Sequence, residues 1–451
     1  MTHTELKTKI EMQADHSDAN DWLLIVNNYQ DADIVEVLEE LEVEKTASLL
    51  IKLPSAQFAS LFGYFSPVYQ DKVLHAIDEN EQLRLFKAMA RDERVDVYQR
   101  LPEEEQKEIL PKLAKQEQED ILQLASYEEG TVGAVATSAY VAIPENMTVI
   151  EALRYVRKNA ANMETIYQLY IVDAQQRLIG TLSLRELMTE KDEAIIKDVM
   201  RTDLVSINAE EPQQEAPDAI RRYDLLAVPV TNKKNKLIGI VTVDDAMDVD
   251  VDESTEDFHK GGGTLALKDV SLRDASAWTM YKKRMPWLII LVFANMFSGN
   301  IIASYEDTIL TYVALVIFLP LIVDSGGNAG AQSSTLMVRA LATGDLHLKD
   351  WFKTLGREFW VALPLGITMS IAVWGLGYYH GGSDIALVVS ITMVAVVLAG
   401  SMIGMSLPFL LSRLKLDPAT ASAPLITTIA DAVGVMLYFF IAITVLGGSA
   451  A

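Results

Sequence analysis

The stretch APLITTIADAVGVMLYFFIAITVL, residues 423–446, is an almost unbroken apolar run that carries a single carboxylate, Asp431. It is longer than the ~20 residues that an α-helix needs to cross ~30 Å of hydrocarbon. A buried core helix is the alternative for one such run, but further apolar runs precede it. They are Pro286–Tyr305, Ile309–Val323 continuing towards Ala342, Trp360–Tyr379 and Ile385–Leu411. Five runs in succession predict a membrane domain of five transmembrane helices.

The positive charges after Met280 all fall on one side of the predicted spans. Nine lysines and arginines lie before the first span, between the second and third, and between the fourth and fifth. Basic residues are retained on the cytoplasmic side of a membrane. The sequence therefore predicts a cytoplasmic N-terminus and an external C-terminus.

Two carboxylates fall within the apolar runs, where ionisable side chains are costly and commonly mark a transport path. For Asp431 we favour an ion site over a carboxylate satisfied by neighbouring hydroxyls. Asp324 opens the stretch SGGNAGAQ, and its role stays open between a pore carboxylate and a helix-end carboxylate. The glycines of this stretch suit an irregular backbone that lines a pore, a helix-packing surface, or both. We expect the second span to break or distort there.

The chain before Tyr281 is strongly acidic. It has 29 lysines and arginines against 53 aspartates and glutamates, whereas the apolar part has nine of each, so the net charge of −24 belongs to the N-terminal part. Such a surface disfavours nucleic-acid binding. Cysteine is absent, which leaves oxygen donors of the kind that Mg²⁺ or Ca²⁺ prefers. No nucleophile–base pattern, zinc signature or phosphate loop is present, so we predict that the chain is not an enzyme.

Short helices are predicted for the first part of the acidic region. Apolar residues recur at helical spacing in DIVEVLEELEVEKTASLLIKL, residues 33–53, and in similar segments after it. Pro54, Pro102 and Pro111 stand near the predicted helix starts. We predict a helical solenoid at residues 20–128, preceded by a tail at 1–19.

An internal repeat follows the solenoid. Tyr170–Met188, YIVDAQQRLIGTLSLRELM, matches Pro229–Met247, PVTNKKNKLIGIVTVDDAM, at an offset of 59 residues. With its upstream segment, each unit reads strand, helix, strand, turn, strand, helix. This resembles a tandem pair of CBS domains, which we place at residues 129–191 and 192–250. Pro217 is expected to interrupt the helix of the second unit.

The CBS resemblance implies ATP as a candidate ligand. In that family a Ser/Thr-x-x-Glu/Asp pattern can hold a ribose. The matching positions here are Ser183 with Glu186 and Thr242 with Asp245.

The repeat runs into DDAMDVDVDESTED, in which eight of the fourteen residues from Asp244 to Asp257 are acidic. Such a block is usually a solvated surface. Here it occupies the connection to the membrane spans. Packing it against another acidic surface would need counterions, because like charges about 4 Å apart repel by ~4 kcal/mol at an effective dielectric of about 20. We place an acidic connecting helix and linker at residues 251–280, and we expect the GGG after Lys260 to end the helix.

The whole arrangement is similar to the MgtE family of magnesium channels along nearly the full chain. The matching stretches are GIVTVDDAMDV (239–249), STEDFHK (254–260), SGGNAGAQSSTLMVRALATGDL (325–346) and DPATASAPLITTIADAVGVMLYF (417–439). The resemblance implies a multi-domain α plus α/β membrane protein. Its parts would be a helical N-terminal solenoid, a tandem CBS pair, a long connecting helix and a transmembrane domain of five α-helices at residues 281–451.

The same resemblance implies site residues. Asp431 would select Mg²⁺ in a pore on the axis of a homodimer, with Thr427 beside it. The remaining pore-lining candidates are Asp324, Gly326, Gly327 and Asn328. Regulatory Mg²⁺ would be held by Asp224, Asp245, Asp248, Glu253, Glu256 and Asp257, with an N-domain partner at Asp92 or Glu93. Ala331 and Ala423 stand where other members carry asparagines, so no pore role is carried over to them.

These features predict a Mg²⁺-selective channel or transporter for magnesium uptake across a bacterial-type plasma (inner) membrane, closed by cytoplasmic Mg²⁺. A divalent-cation carrier coupled to H⁺ or Na⁺ stays open as the alternative, because it would use the same carboxylates. Co²⁺, Ni²⁺ and Mn²⁺ are further candidate ions.

Overall fold

A computed structural model of the chain describes residues 3–15, 19–265 and 275–448. The chain forms two compact units, Met1–Glu253 and Ser254–Ala451. The predicted tail at 1–19 and the predicted connecting segment at 251–280 both lie partly outside the described residues.

The first unit begins with short helices whose apolar faces pack on one another. Their bounds are α1 His3–Asp15, α2 Ala19–Asn28, α3 Asp31–Leu38, α4 Val43–Leu50, α5 Ser55–Gly63, α6 Pro67–Ala76, α7 Glu79–Ala88, α8 Arg91–Arg100, α9 Glu103–Ile109 and α10 Lys115–Leu124. Trp22, Ile34, Phe58 and Phe62 are fully buried between them. The predicted helical N domain is therefore confirmed, and most of the segment predicted as a tail is helix α1.

Two β-α units follow, each with a three-stranded sheet. The first comprises β1 Ala142–Pro144, α11 Val149–Asn159, β2 Gln168–Val172, β3 Leu178–Ser183 and α12 Leu184–Thr189. The second comprises α13 Ile196–Val199, β4 Ile207–Asn208, α14 Glu215–Tyr223, β5 Ala227–Thr231 and β6 Leu237–Thr242. In both sheets the first strand pairs parallel with the second, which pairs antiparallel with the third. The paired CBS architecture predicted from the repeat is confirmed.

Pro217 does not interrupt the helix of the second unit, so that expectation was wrong. It is the third residue of α14 and is buried with Ala216 and Ile220. The first backbone N–H groups of a helix have no intrahelical acceptor. A proline in the first turn therefore costs the helix no hydrogen bond.

Helix α15, Val243–Gly261, carries the acidic block from the end of β6 into the second unit. It ends at the first glycine of GGG, as expected. Gly263, two residues later, has a left-handed φ of 71°, which glycine adopts without strain.

The second unit holds the apolar helices α16 Ala277–Ala303, α17 Glu306–Thr311, α18 Ala314–Ala342, α19 Trp351–Arg413 and α20 Ala423–Gly448. Among the described helices, four are long and apolar enough to cross a membrane, namely α16, α18, α19 and α20. Helix α17 is too short. Helix α19 is broken at Gly382, where φ is 76° and ψ is −169°. Its two parts, which we call the third segment (351–381) and the fourth segment (383–413), are each longer than the ~20 residues of a span. The five predicted spans thus correspond to α16, α18, these third and fourth segments, and α20.

Helix α18 runs unbroken through SGGNAGAQ, so the expected break was wrong. Gly326 and Gly330 of this stretch serve helix packing. A Cβ on Gly400 of the fourth segment would collide with the carbonyl of Gly326, and one on Gly404 with the carbonyl of Gly330. The two backbones touch at two points about one helical turn apart, because no side chain stands between them.

Candidate metal sites

Asp431 faces α18 at a glycine. A Cβ on Gly327 would lie 3.4 Å from Oδ1 of Asp431 and 3.1 Å from Cγ2 of Thr427. The hydroxyl of Thr427 donates to the carbonyl of Pro424 at 3.0 Å, within its own helix. Glycine at position 327 therefore leaves space in front of a half-buried carboxylate.

Asp324 and Asn328 lie one turn apart on α18, and both are exposed. The Nδ2 of Asn328 donates to Asp324 at 3.0 Å. Asp324 also interacts electrostatically with Asp431. Gly326 faces Val396 of the fourth segment instead. The structure therefore brings Gly327, Thr427 and Asp324 close to Asp431, with Asn328 bonded to Asp324.

A second group of acids, which we call the acidic cluster, lies in the first unit. It joins Asp92 and Glu93 of α8, Glu164 before β2, and Asp244 and Asp245 of α15. Burial raises the pKa of Glu93 to about 7, helped by the charges of Asp92 and Glu164. Burial and then Asp92 raise the pKa of Asp245 to about 7. The carboxylates thus repel one another in a partly dehydrated space.

The arginines near the acidic cluster form ion pairs with carboxylates outside it. Arg91 pairs with Asp120 at 3.2 Å and Arg94 with Glu117 at 3.4 Å. Oδ1 of Asp92 is buried and has no hydrogen-bond partner among the described residues. A buried oxygen acceptor without a donor, among further carboxylates, suits a hard divalent cation. Across the described residues, no three His, Asp or Glu side chains are already close enough to form a metal-binding group.

Sequence reasoning missed Glu164 and Asp244 as members of this cluster. Burial raises the pKa of Glu164, and Asp92 and Asp244 add to the effect. Glu164 lies outside every charge run and motif, so no local signal pointed to it. Asp244 belongs to the acidic run that the sequence singled out, and it adjoins the predicted ligand Asp245.

Other predicted regulatory residues of the first unit have different surroundings. Asp224 is exposed and caps the C-terminus of α14 in a left-handed conformation, with φ of 51°. Glu253 accepts a 2.7 Å hydrogen bond from Nε2 of Gln213. Asp248 is exposed, and partial burial followed by the charge of Asp244 raises its pKa. Asp248 is thus the only one of these three that borders the acidic cluster in the described structure.

In the second unit, the last turns of α15 are tied to the connection before α20. The Nζ of Lys260 lies 2.6 Å from Glu256 and 2.6 Å from Asp417. Burial lowers the pKa of Lys260, but its bonds to these two acids outweigh that effect and raise the pKa above its ordinary value. The predicted ligand Glu256 therefore already has a cationic partner.

Asp257 and Phe258 line a cavity of about 410 Å³ within the second unit. Its walls include Ser334 and Arg339 of α18, together with small residues of the 419–423 segment. The exit from α15 thus adjoins the end of the helix that carries Asp324 and Gly327.

The residues matched to a ribose site form helix starts. Ser183 caps α12, with its hydroxyl 2.8 Å from Glu186, and Arg201 donates to the same glutamate at 2.8 Å. Thr242 donates to Asp245 at 2.5 Å. These polar atoms already have partners, so the geometry gives them a capping role.

Known families match the chain in the order of these parts. The intracellular N domain of MgtE matches residues 29–130, and CBS domains match 132–193 and 196–252. The divalent cation transporter domain of MgtE matches residues 319–441.

Relatives extend the likeness to the whole chain. The magnesium transporter MgtE of Bacillus subtilis is 32% identical over 98% of this chain and 98% of its own. That of Thermus thermophilus is 39% identical over 71% of each chain. Among solved structures, the soluble part of a magnesium transporter matches with a TM-score of 0.52 and 28% identity, covering 56% of this chain and 100% of that one. The cytosolic domain of the Mg²⁺ channel MgtE in complex with ATP also gives 0.52 and 28%, over 54% and 99%. The chain therefore belongs to the MgtE family of magnesium transporters.

Proposed function

We propose that this chain conducts Mg²⁺ as a homodimeric channel through a pore lined by α18 and α20, and that cytoplasmic Mg²⁺ closes it. The observation that carries this proposal is the Asp431 carboxylate facing the open position at Gly327. Family membership supports magnesium as the transported ion.

Mg²⁺ prefers octahedral oxygen coordination and loses its water reluctantly. A pair of Asp431 carboxylates, one from each chain of a dimer, would hold a largely hydrated ion across the axis. Asp324 adds negative charge nearby, and Gly327 leaves the room that the water shell needs. Such a site favours a hydrated divalent ion over Na⁺ or K⁺, because the attraction grows with ionic charge.

Closure would be a population shift driven by the acidic cluster. Asp92, Glu93 and Asp245 would hold the ion, with Glu164 and Asp244 adding charge, and bound Mg²⁺ would supply the positive charge that cancels their repulsion. The compact arrangement of N domain, CBS pair and α15 then binds Mg²⁺ better than a separated one, so the ion favours it. When Mg²⁺ is scarce, the carboxylates repel and the contact loosens.

Helix α15 would carry this change to the membrane unit. Its last turns hold Asp417 through Lys260 and border the cavity at Arg339 of α18. A shift of α15 would therefore act directly on the connection before α20.

We further propose that the first unit lies in the cytoplasm and that it binds ATP. Both rest on the solved relative described as the cytosolic domain of a Mg²⁺ channel in complex with ATP. The basic residues before the first span, between the second and third, and between the fourth and fifth support the same orientation, with the C-terminus outside.

Recordings from planar bilayers test the proposal. The full-length protein should give unitary Mg²⁺ currents at low cytoplasmic Mg²⁺, and these should disappear as cytoplasmic Mg²⁺ rises to millimolar levels. Smooth flux without unitary steps, and dependent on a H⁺ or Na⁺ gradient, would establish a coupled carrier instead.

The acidic cluster is tested by its neutral variant, Asp92→Asn, Glu93→Gln and Asp245→Asn together. Closure should need roughly tenfold or more Mg²⁺ in this variant, since each lost ligand removes about 1 kcal/mol or more of binding. The matched control neutralises Glu103, Glu104 and Glu108, which are acids of α9 outside the cluster, and should close normally. Unchanged inhibition in the cluster variant would rule out this sensor.

A further inference from the structure

We propose that a groove on the membrane unit binds an anionic phospholipid, with its phosphate at Arg413 and an acyl chain along the apolar wall. The groove has a volume of about 390 Å³ and lies where the third segment begins and the fourth ends. Trp351, Leu407 and Ile429 are among its walls. Every lining residue except Ser406 and Arg413 is apolar.

Arg413 brings a cation into this apolar surface. It is the last residue of the fourth segment and is exposed, and it has no ion-pair partner among the described residues. The nearby acids are engaged, because Asp417 binds Lys260 and Asp350 accepts from the backbone N–H of His347. A phosphodiester suits this position, since a guanidinium donates two parallel hydrogen bonds to phosphate.

More positive charge lies close by in the sequence. Lys349 and Lys353 flank Trp351, and Lys415 follows Arg413. None of these three lysines has an acidic partner in the described chain. A lipid with net negative charge offsets these cations, whereas phosphatidylcholine brings a cation of its own. Basic pockets between membrane helices bind anionic headgroups on these grounds.

The apolar wall identifies the rest of the ligand. Trp351 is partly buried and contacts Phe352, with ring centroids 4.5 Å apart. Tryptophan is enriched at the headgroup level of membranes, and leucine and isoleucine beyond it favour hydrocarbon. A second copy of the chain on this groove would leave Arg413 buried without a counter-charge unless it supplied an acid, which is costly. The combination of a free cation and an apolar wall therefore favours a lipid.

Quenching of Trp351 by brominated lipids tests the proposal. The full-length protein is reconstituted in phosphatidylcholine vesicles in which either phosphatidylglycerol or part of the phosphatidylcholine carries bromine high on its acyl chains. The chain has six tryptophans. The difference between the protein and its Trp351→Phe variant isolates the signal of Trp351. We expect stronger quenching by brominated phosphatidylglycerol than by equal brominated phosphatidylcholine.

Two variants separate the headgroup contact from general charge. Arg413→Gln should raise the phosphatidylglycerol fraction for half-maximal quenching roughly fivefold, since a basic residue near the surface contributes about 1 kcal/mol. For Arg413→Lys this fraction should lie between those of the unaltered protein and of Arg413→Gln, because lysine keeps the charge and loses the paired hydrogen bonds. The control Arg357→Gln removes an exposed cation of the third segment that does not line the groove, and should keep the preference.

Three results would overturn the proposal. Equal quenching by the two lipids would show that the groove has no headgroup preference. A preference that survives Arg413→Gln would place the lipid elsewhere. Absence of quenching by either lipid would show that protein, such as a second copy, covers the groove.

Discussion

The Nζ of Lys260 lies 2.6 Å from a carboxylate oxygen of Asp417, although the two residues are 157 positions apart in the chain. This ion pair links the end of the acidic connecting helix to the turn that precedes α20. It is partly buried, with the two side chains 28% and 35% exposed, so solvent screens it less than a pair on the open surface.

Breaking this pair should uncouple the connecting helix from the membrane unit. We expect Lys260→Ala to lower the free energy of unfolding of the membrane unit by about 1 kcal/mol and to weaken closure by cytoplasmic Mg²⁺. Exchanging the charges, Lys260→Asp with Asp417→Lys, should recover part of both effects. Thermal unfolding in detergent measures the change in stability, and titration of the flux with Mg²⁺ measures the change in closure. Lys415→Ala is the control, and an equal effect in that variant would contradict a specific link.

Removing the carboxylate of Asp431 should abolish selective conduction. We expect Asp431→Ala to lower Mg²⁺ uptake at least roughly tenfold, because the hydrated ion loses its only charged contact on α20. Fluorescent Mg²⁺ indicators inside proteoliposomes report the rate. Asp384→Asn removes an exposed acid just after the Gly382 break and should transport normally. Normal uptake and selectivity in Asp431→Ala would disprove the assigned pore site.

The glycine contact between α18 and the fourth segment should tolerate no side chain. We expect Gly400→Ala and Gly404→Ala each to destabilise the membrane unit by about 1–3 kcal/mol, because the added methyl group meets a backbone carbonyl that cannot turn away. Gly375→Ala is the matched control, since its Cβ would meet no atom of the described chain within 4 Å. Melting temperatures in detergent compare the three. Equal melting temperatures would mean that the helices lie further apart than the structure has them.

The acidic cluster should respond to pH when divalent ions are removed. Burial raises the pKa of Glu93 and Asp245 to about 7, above that of an unfolded carboxyl. The folded contact therefore holds these protons more tightly than the unfolded chain does. Its stability is greatest below the unfolded pKa and falls as the pH rises through about 7.

Spin labels can follow this loss, because the chain has no cysteine of its own. Gln99→Cys on α8 and Lys191→Cys beyond α12 are both exposed positions. In EDTA, the distribution of distances between the labels should broaden from about pH 5 to about pH 8, with a midpoint near 7. Glu93→Gln with Asp245→Asn should remove most of the change, and a pH response that persists there would point to other groups.

Much of the fold could be predicted from local patterns. Hydropathy indicated the five spans, and the 59-residue repeat indicated the CBS pair. Family membership confirms both the magnesium transporter and the prediction that the chain is not an enzyme. The predicted break in α18 was wrong, because a glycine-rich stretch suggests an irregular backbone when the helix that packs against it is not known. Only Gly400 and Gly404 on another segment show why those glycines are there.

Contacts between distant segments were the hardest to predict. Glu164 enters the acidic cluster through packing, and its sequence neighbours, Asn162 to Tyr167, contain no other acid. Lys260 pairs with Glu256 one turn earlier, which the motif had suggested as a metal ligand, and the i,i+4 spacing could have indicated that pair. Its other partner, Asp417, is 157 positions away in the chain and had no such signal. Such pairings depend on tertiary structure, which no spacing within one segment encodes.

The direct contact of α18 with the fourth segment also limits how this protein can move. Side chains between helices normally change rotamer to accommodate sliding, but here carbonyl groups and α-carbons meet without them. Helix α18 and the fourth segment therefore move together as one rigid pair. If the proposed pore widens beside Asp431, α20 is the helix that would tilt or turn against this pair, and it would carry with it the carboxylate that we propose binds the ion.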